Sequence, residues 1–299
     1  MNRSLGSTGW ILGACTLSIL CANAQSISTQ AEMHKRVVGL YSFSPHKLTD
    51  AERKTKSGEM DVFWDEVKAH QASELPMLRI ELKDASNPAF FMQDGSALLM
   101  SLSKDPADGA IAVDAMAHAD LSDVQPPAYF YGVHSLSVNG VNTTKAALHV
   151  LDDPKFSVSV PQHAMTLDQG SCLVYLLLPV DPKKWMGAAQ QRFATEKDET
   201  AQTSLLSLFF YSQTNEGDSV IRKAASDPSR SEAIRKDAQK YIDDAKAALK
   251  SKTDVEGDET SIRAARQKRL AAVSDEAVGD MQEMTARLIQ LRNDKTSTK

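Results

Sequence analysis

A chain of 299 residues, 42% of them apolar, is long enough to bury one large core or to run as an extended array of repeats. Its formal net charge is −5, with the acidic excess before residue 220 and a slight basic excess after it. The basic residues near the end, Arg263, Arg266, Lys268 and Arg269, are followed by Asp275, Glu276 and Asp280, which reads as a solvated helix face and argues against nucleic acid or an anionic membrane as a partner.

The chain opens with Arg3, an apolar stretch from Trp10 to Ala22, and the small-x-small end Ala22-Asn23-Ala24. This is the layout of a secretory signal peptide over residues 1–24, cleaved after Ala24, which predicts a periplasmic or secreted product. The apolar run falls short of the roughly 18 to 20 residues that a spanning helix needs, so no stable membrane span is expected after cleavage. Leu12-Gly13-Ala14-Cys15 offers a lipoprotein site as the weaker alternative, because it leaves little apolar sequence upstream and a strongly apolar stretch downstream. Cleavage removes Cys15 and Cys21 and leaves Cys172, which excludes an internal disulfide. Cys172 lies in the apolar run Ser171-Cys172-Leu173-Val174-Tyr175-Leu176-Leu177-Leu178 and reads as a small buried hydrophobe.

Residues 25–58 read as an N-terminal arm, partly disordered: 25–35 are polar without periodicity, and Val37-Val38-Gly39-Leu40-Tyr41 fits a short strand or a helix start. From Glu59 the pattern is helical, with Met60, Phe63, Trp64 and Val67 on one face. A second helix follows Ser73 as N-cap, with Leu75, Leu78, Ile80 and Leu82 mostly inward up to Asp84. Asn87-Pro88 then ends this segment.

A pattern now recurs: an apolar run, a turn, and a second amphipathic stretch closing on an aspartate. It runs from Gly95-Ser96-Ala97-Leu98-Leu99 to Asp120, from Gly170-Ser171-Cys172-Leu173 to Asp198, and from Thr203-Ser204-Leu205-Leu206 to Asp227, with a weaker copy at Tyr131-Gly132-Val133-His134-Ser135-Leu136. Anchored on Leu98, Leu136, Leu173 and Leu205, the spacing is about 32 to 38 residues, the period of a helix pair. Between the copies, Thr144 to Leu151 reads as helix. Phe156-Ser157-Val158-Ser159-Val160-Pro161 reads as an extended connection with no sheet to join, and helix is expected again from Met165. Pro179 and Pro182 mark the turn into a helix from Trp185 to Phe193.

The sharpest unit is Ala224-Ala225-Ser226-Asp227-Pro228-Ser229-Arg230-Ser231-Glu232-Ala233-Ile234-Arg235-Lys236-Asp237-Ala238. Asp227-Pro228 makes the turn, Ser231 caps a new helix, and Arg235 lies on the side that the turn aspartate can reach. This resembles the HEAT repeat family in Asp227, Pro228, Ile234, Arg235 and Ala238. The resemblance implies an all-helical curved solenoid that serves as a scaffold for other proteins, and it carries over no catalytic residue. The fold class expected is therefore all-α: tandem helix pairs over residues 59–247 forming an α-solenoid. A charged linker over 248–260 and a C-terminal amphipathic helix and tail over 261–299 follow. In that helix Leu270, Ala277, Met284 and Leu291 stand seven apart with Met281 and Leu288 between them. It packs on its own solenoid or caps it, with oligomerisation as the alternative.

Signals for chemistry are sparse. His118, His134, His149 and His163 recur every 14 to 16 residues, a spacing that suits neither a one-helix metal site nor a knuckle but sets one histidine on each successive helix. Gly95-Ser96-Ala97 and Gly170-Ser171-Cys172 do not complete a nucleophile elbow. No phosphate loop, His-Glu-x-x-His or haem motif is present, so no cofactor or metal is expected. Asp94 reads as an N-cap before it reads as an acid. Adjacent aromatics at Phe90-Phe91, Tyr129-Phe130-Tyr131 and Phe209-Phe210-Tyr211 cannot all face inward on a helix, which makes Tyr129, Tyr131 and Tyr211 candidate anchors for a bound protein. The expected function is that of an exported, non-catalytic scaffold with a protein partner. The alternative is an exported helical enzyme or small-ligand or metal-binding protein in which Asp94 and the histidine row, including His134 and His163, converge on a pocket.

Overall fold

In the computed structural model the described residues are 26–250, apart from 44–46, 104, 139, 161–164 and 213. The leader, Cys15, most of the charged linker and the heptad segment lie outside them. Among the described residues there are twelve α-helices and one two-stranded sheet.

Helix begins earlier than the sequence pattern suggests. α1 (Gln30–Tyr41) replaces the expected disordered arm: the Thr29 side chain caps it by accepting from the Glu32 N–H, and Met33, Val37 and Tyr41 point into the core at intervals of four. α2 (Asp50–Ala69) starts ahead of Glu59, because Thr49 and Glu52 form a reciprocal capping box. Its core face carries Phe63, Trp64 and Val67 as expected. α3 (Gln71–Lys83) includes Ser73 instead of starting after it; the Ser73 hydroxyl donates to the His70 carbonyl, and Leu75, Leu78 and Leu82 are buried while Ile80 is exposed.

The remaining helices come in succession: α4 (Ala89–Leu102), α5 (Ala107–His118), α6 (Pro126–Val138), α7 (Thr144–His149), α8 (Gln169–Leu177), α9 (Pro182–Thr195), α10 (Glu199–Ser212), α11 (Asn215–Ser226) and α12 (Glu232–Lys250). Helices pack on their neighbour in sequence in pairs such as α4 with α5 and α11 with α12, and also on the helix after next. One row of contacts runs α1, α3, α5, α7, α9, α11; a second runs α4, α6, α8, α10, α12. The four repeat anchors fall on successive members of the second row, Leu98 on α4, Leu136 on α6, Leu173 on α8 and Leu205 on α10, and all four are buried.

Residues 156–161 are not a solitary connection. Val158–Val160 forms β1, which pairs antiparallel with β2 (Met165–Leu167) in the register Val158 to Leu167 and Val160 to Met165. The chain supplies its own partner strand where helix was expected to resume, and the hairpin is held because Val158 and Leu167 are buried against α6 and α8.

Polar clamps tie successive helices of the first row together. The Arg79 guanidinium on α3 grips the buried Asp108 carboxylate on α5. On α7, His149 places Nε2 at 2.7 Å from the Ala119 carbonyl and Nδ1 at 2.8 Å from Asp152 Oδ2. Cys172 is fully buried on α8, and burial pushes its thiol up to about 12, as suits a core residue.

Candidate functional site

α10 carries Thr200, Thr203, Ser204, Ser207 and Tyr211 at i, i+3, i+4, i+7 and i+11, which is one face of a helix. Its other side supplies Ala201, Leu205, Leu206, Leu208 and Phe209 to the core. The hydroxyl face fronts a cleft of about 200 Å³. The opposite wall is the segment Pro154–Ser157 leading into β1, and the inner end is the first turn of α8, with Asp168, Gln169 and Gly170. Gly170 sets this geometry: a Cβ there would stand 3.3 Å from the Ser204 Cα, so only glycine lets α8 and α10 approach so closely without a shift.

The walls are locked by hydrogen bonds. Gln169, 2% exposed, donates through Nε2 to the carbonyls of Val150 (3.0 Å) and Asp153 (2.8 Å), and its Oε1 accepts from the Ser204 hydroxyl at 3.0 Å. The same Ser204 hydroxyl lies 2.9 Å from the Thr200 carbonyl. Asp168 caps α8 by accepting the Ser171 N–H at 2.8 Å. Phe156 behind this wall is buried and packed edge-on against Tyr129 with ring centroids 5.8 Å apart.

α12 extends the hydroxyl face outward. Thr203 donates to Asp237 Oδ2 at 2.9 Å, and the hydroxyls of Ser207 and Tyr241 lie 2.6 Å apart. The Tyr241 ring packs at a tilt against Phe210, with centroids 4.8 Å apart. Burial raises the Tyr241 phenol above its ordinary value, while the Ser207 hydroxyl acts in the opposite direction.

The residues singled out in the sequence do not converge. Tyr129 is not a surface anchor: it is fully buried, its hydroxyl lies 3.1 Å from the Met116 carbonyl and 2.9 Å from that of Ala146, and burial raises its phenol steeply. His134 is likewise interior, 3% exposed and stacked on Phe130, and burial pushes its imidazole down to about 4. His118 is exposed with Nδ1 at 2.6 Å from the Asp114 carbonyl, His149 bridges α7 to the end of α5, and His163 lies outside the described residues. Asp94 is no N-cap, because α4 starts at Ala89; it sits half-buried with Oδ2 3.5 Å from the Tyr41 hydroxyl. Tyr131 is half-buried, and burial raises its phenol. Tyr211 is exposed, on the outer end of the hydroxyl face of α10. Among the described residues, no group of three or more His, Cys, Asp and Glu side chains is placed to hold a metal ion.

The cleft was missed although its signal is in the sequence: Thr200, Thr203, Ser204, Ser207 and Tyr211 form a polar stripe at helical spacing between apolar residues. No protein-family model, curated protein or solved structure matches this chain.

Proposed function

We propose that the chain is an exported, non-catalytic helical-repeat protein whose α-solenoid binds another protein. The observation that carries this reading is the order of packing, in which most helices rest on a neighbour in sequence and on the helix two along, with the repeat anchors on successive members of one row. A helix pair cannot bury its apolar side alone; stacking pairs buries a continuous core and leaves a long surface for recognition. Tyr211 supports a place for the partner, since an exposed tyrosine supplies contact area at small entropic cost. Export rests on the leader at residues 1–24, and the heptad segment after residue 260 caps the array in this reading. A dimeric mass in solution would assign that segment to self-association instead.

The test is affinity capture of the tagged mature protein from its native envelope fraction after light crosslinking, run beside a Tyr211→Ala variant of unchanged helicity and Tm. One protein crosslinked to residues on the α10 and α12 surface, and lost with Tyr211→Ala, supports the reading. Capture that is equal for both proteins, or no specific capture at all, sinks it.

A further inference from the structure

We propose that the cleft between the β1 segment, α8 and α10 binds a small, neutral, polyhydroxylated molecule of the size of one sugar ring. This goes beyond the protein-binding reading and does not depend on it.

The chemical class follows from where the wall hydrogens go. A hydroxyl has one proton to donate and two lone pairs to offer. Thr203 commits its proton to Asp237, and Ser204 commits its proton to Gln169 Oε1 and the Thr200 carbonyl. Both protons of the Gln169 amide are committed to the carbonyls of Val150 and Asp153. The α10 wall therefore offers lone pairs from Thr203 and Ser204, and the Asp168 carboxylate, with one oxygen on the Ser171 N–H, adds its second oxygen as an acceptor. The Lys155 ammonium and the hydroxyls of Ser157 and Thr200 also line the cleft and can donate, so the wall suits a ligand whose groups both donate and accept, as hydroxyls do. Sulfate and carboxylate ligands bring only acceptors, so they leave the lone pairs of Thr203 and Ser204 without a donor and set a negative charge against Asp168.

Charge then separates polyols from amines. The cleft is lined by one carboxylate, Asp168, and one ammonium, Lys155, so it holds no net charge to offset a desolvated cation. Size sets the last bound. At about 200 Å³ the cleft is below the ~300–1,000 Å³ of sites for drug-sized ligands and has room for about six or seven waters. A single pyranose or an open-chain polyol fills that space.

The experiment is calorimetric titration of the purified mature protein with hexoses, pentoses and linear polyols, beside phosphate and citrate as anions and spermidine and free amino acids as amines. Two variants accompany it. Thr203→Val keeps the shape and removes the wall oxygen; Ser157→Trp fills the mouth from an exposed position on the lip. The expected result is saturable binding of at least one neutral polyol, weakened by at least about tenfold in both variants with Tm unchanged. If Thr203→Val unfolds the protein, the Ser157→Trp comparison decides alone. No response to any polyol up to ~10 mM overturns the proposal, as does preferential binding of an anion or amine, or polyol binding that survives a filled mouth.

Discussion

Arg79 and Asp108 meet in a two-pronged ion pair, with Nε to Oδ1 and Nη2 to Oδ2 both at 2.7 Å, and so fasten α3 to α5. Asp108 is 1% exposed, and the hydrogen bonds from Arg79 hold its carboxyl below the ordinary carboxylate range. Removing one partner of such a pair strands the other, so Asp108→Ala should lose about 3 kcal/mol in urea unfolding at pH 7. The double change Arg79→Met with Asp108→Leu should recover part of that loss. Because the folded value is depressed, the contribution is complete above about pH 4 and is lost as pH falls through the folded value. The Asp108→Ala deficit should therefore shrink as pH is taken below the ordinary carboxylate range; a deficit unchanged by pH would refute the assignment.

His134 predicts a second pH dependence in a different window. Burial lowers its value from 6.5 to about 4, so between those values the unfolded chain binds a proton that the folded chain refuses. Stability from this residue is full above about pH 6.5 and declines by roughly 3 kcal/mol as pH falls to 4. His134→Phe, which keeps an aromatic ring against Phe130, should flatten the decline between pH 6.5 and 4. The His134 ring resonances in wild type should titrate near 4, and titration near 6.5 would refute the burial account.

Tyr129 tests the correction made to the aromatic cluster. Tyr129→Phe should cost about 1 kcal/mol, by removing the hydroxyl that reaches the Met116 and Ala146 carbonyls. Tyr129→Ala should cost about 3 to 5 kcal/mol by opening a cavity beneath Phe156. Partner capture should be unchanged in Tyr129→Phe, in contrast to Tyr211→Ala.

Arg230 and Arg235 divide roles that the sequence assigned to Arg235. The Asp-Pro unit is laid out as read: Ser231 caps α12, with the Ile234 N–H 3.3 Å from its hydroxyl, and Ile234 and Ala238 are buried. Yet the cation that lies 3.9 Å from Asp227 is Arg230, which also bonds Gln202 Oε1 and the Phe193 carbonyl and stacks 4.3 Å over the Phe193 ring. Arg230→Ala should cost about 2 kcal/mol and Arg230→Lys nearly as much, since an ammonium cannot fork or stack in this way. Thermal melts of Arg235→Lys should shift less than those of Arg230→Lys.

Helices with a continuous apolar stripe were legible, and α1 was not, for a physical reason. Met33, Val37 and Tyr41 carry the helical period, but Gln30, His34 and Arg36 around them made the stretch read as solvated. Those polar residues are docked on carboxylates: Gln30 and His34 on Glu81, and Arg36 on Glu66 at 2.6 Å. Composition cannot distinguish a polar face turned to water from one turned to buried acids. The β1–β2 pair was missed because a three-residue strand whose partner is equally short leaves almost no pattern. The cleft escaped because serine and threonine within a helix look merely neutral until their spacing is laid on a wheel. The exposure of Tyr211 was legible because three adjacent aromatics cannot share one face.

Helix contacts run mostly between neighbours one or two apart in sequence, so if the chain is the solenoid proposed above it should not melt as one block. Loosening enters at the termini and advances pair by pair, so amide protons of α1 and α12 exchange early and those of α8 late. A molecule seated between α8 and α10 would act as a wedge across that advance, and its protection would fade with distance along the array.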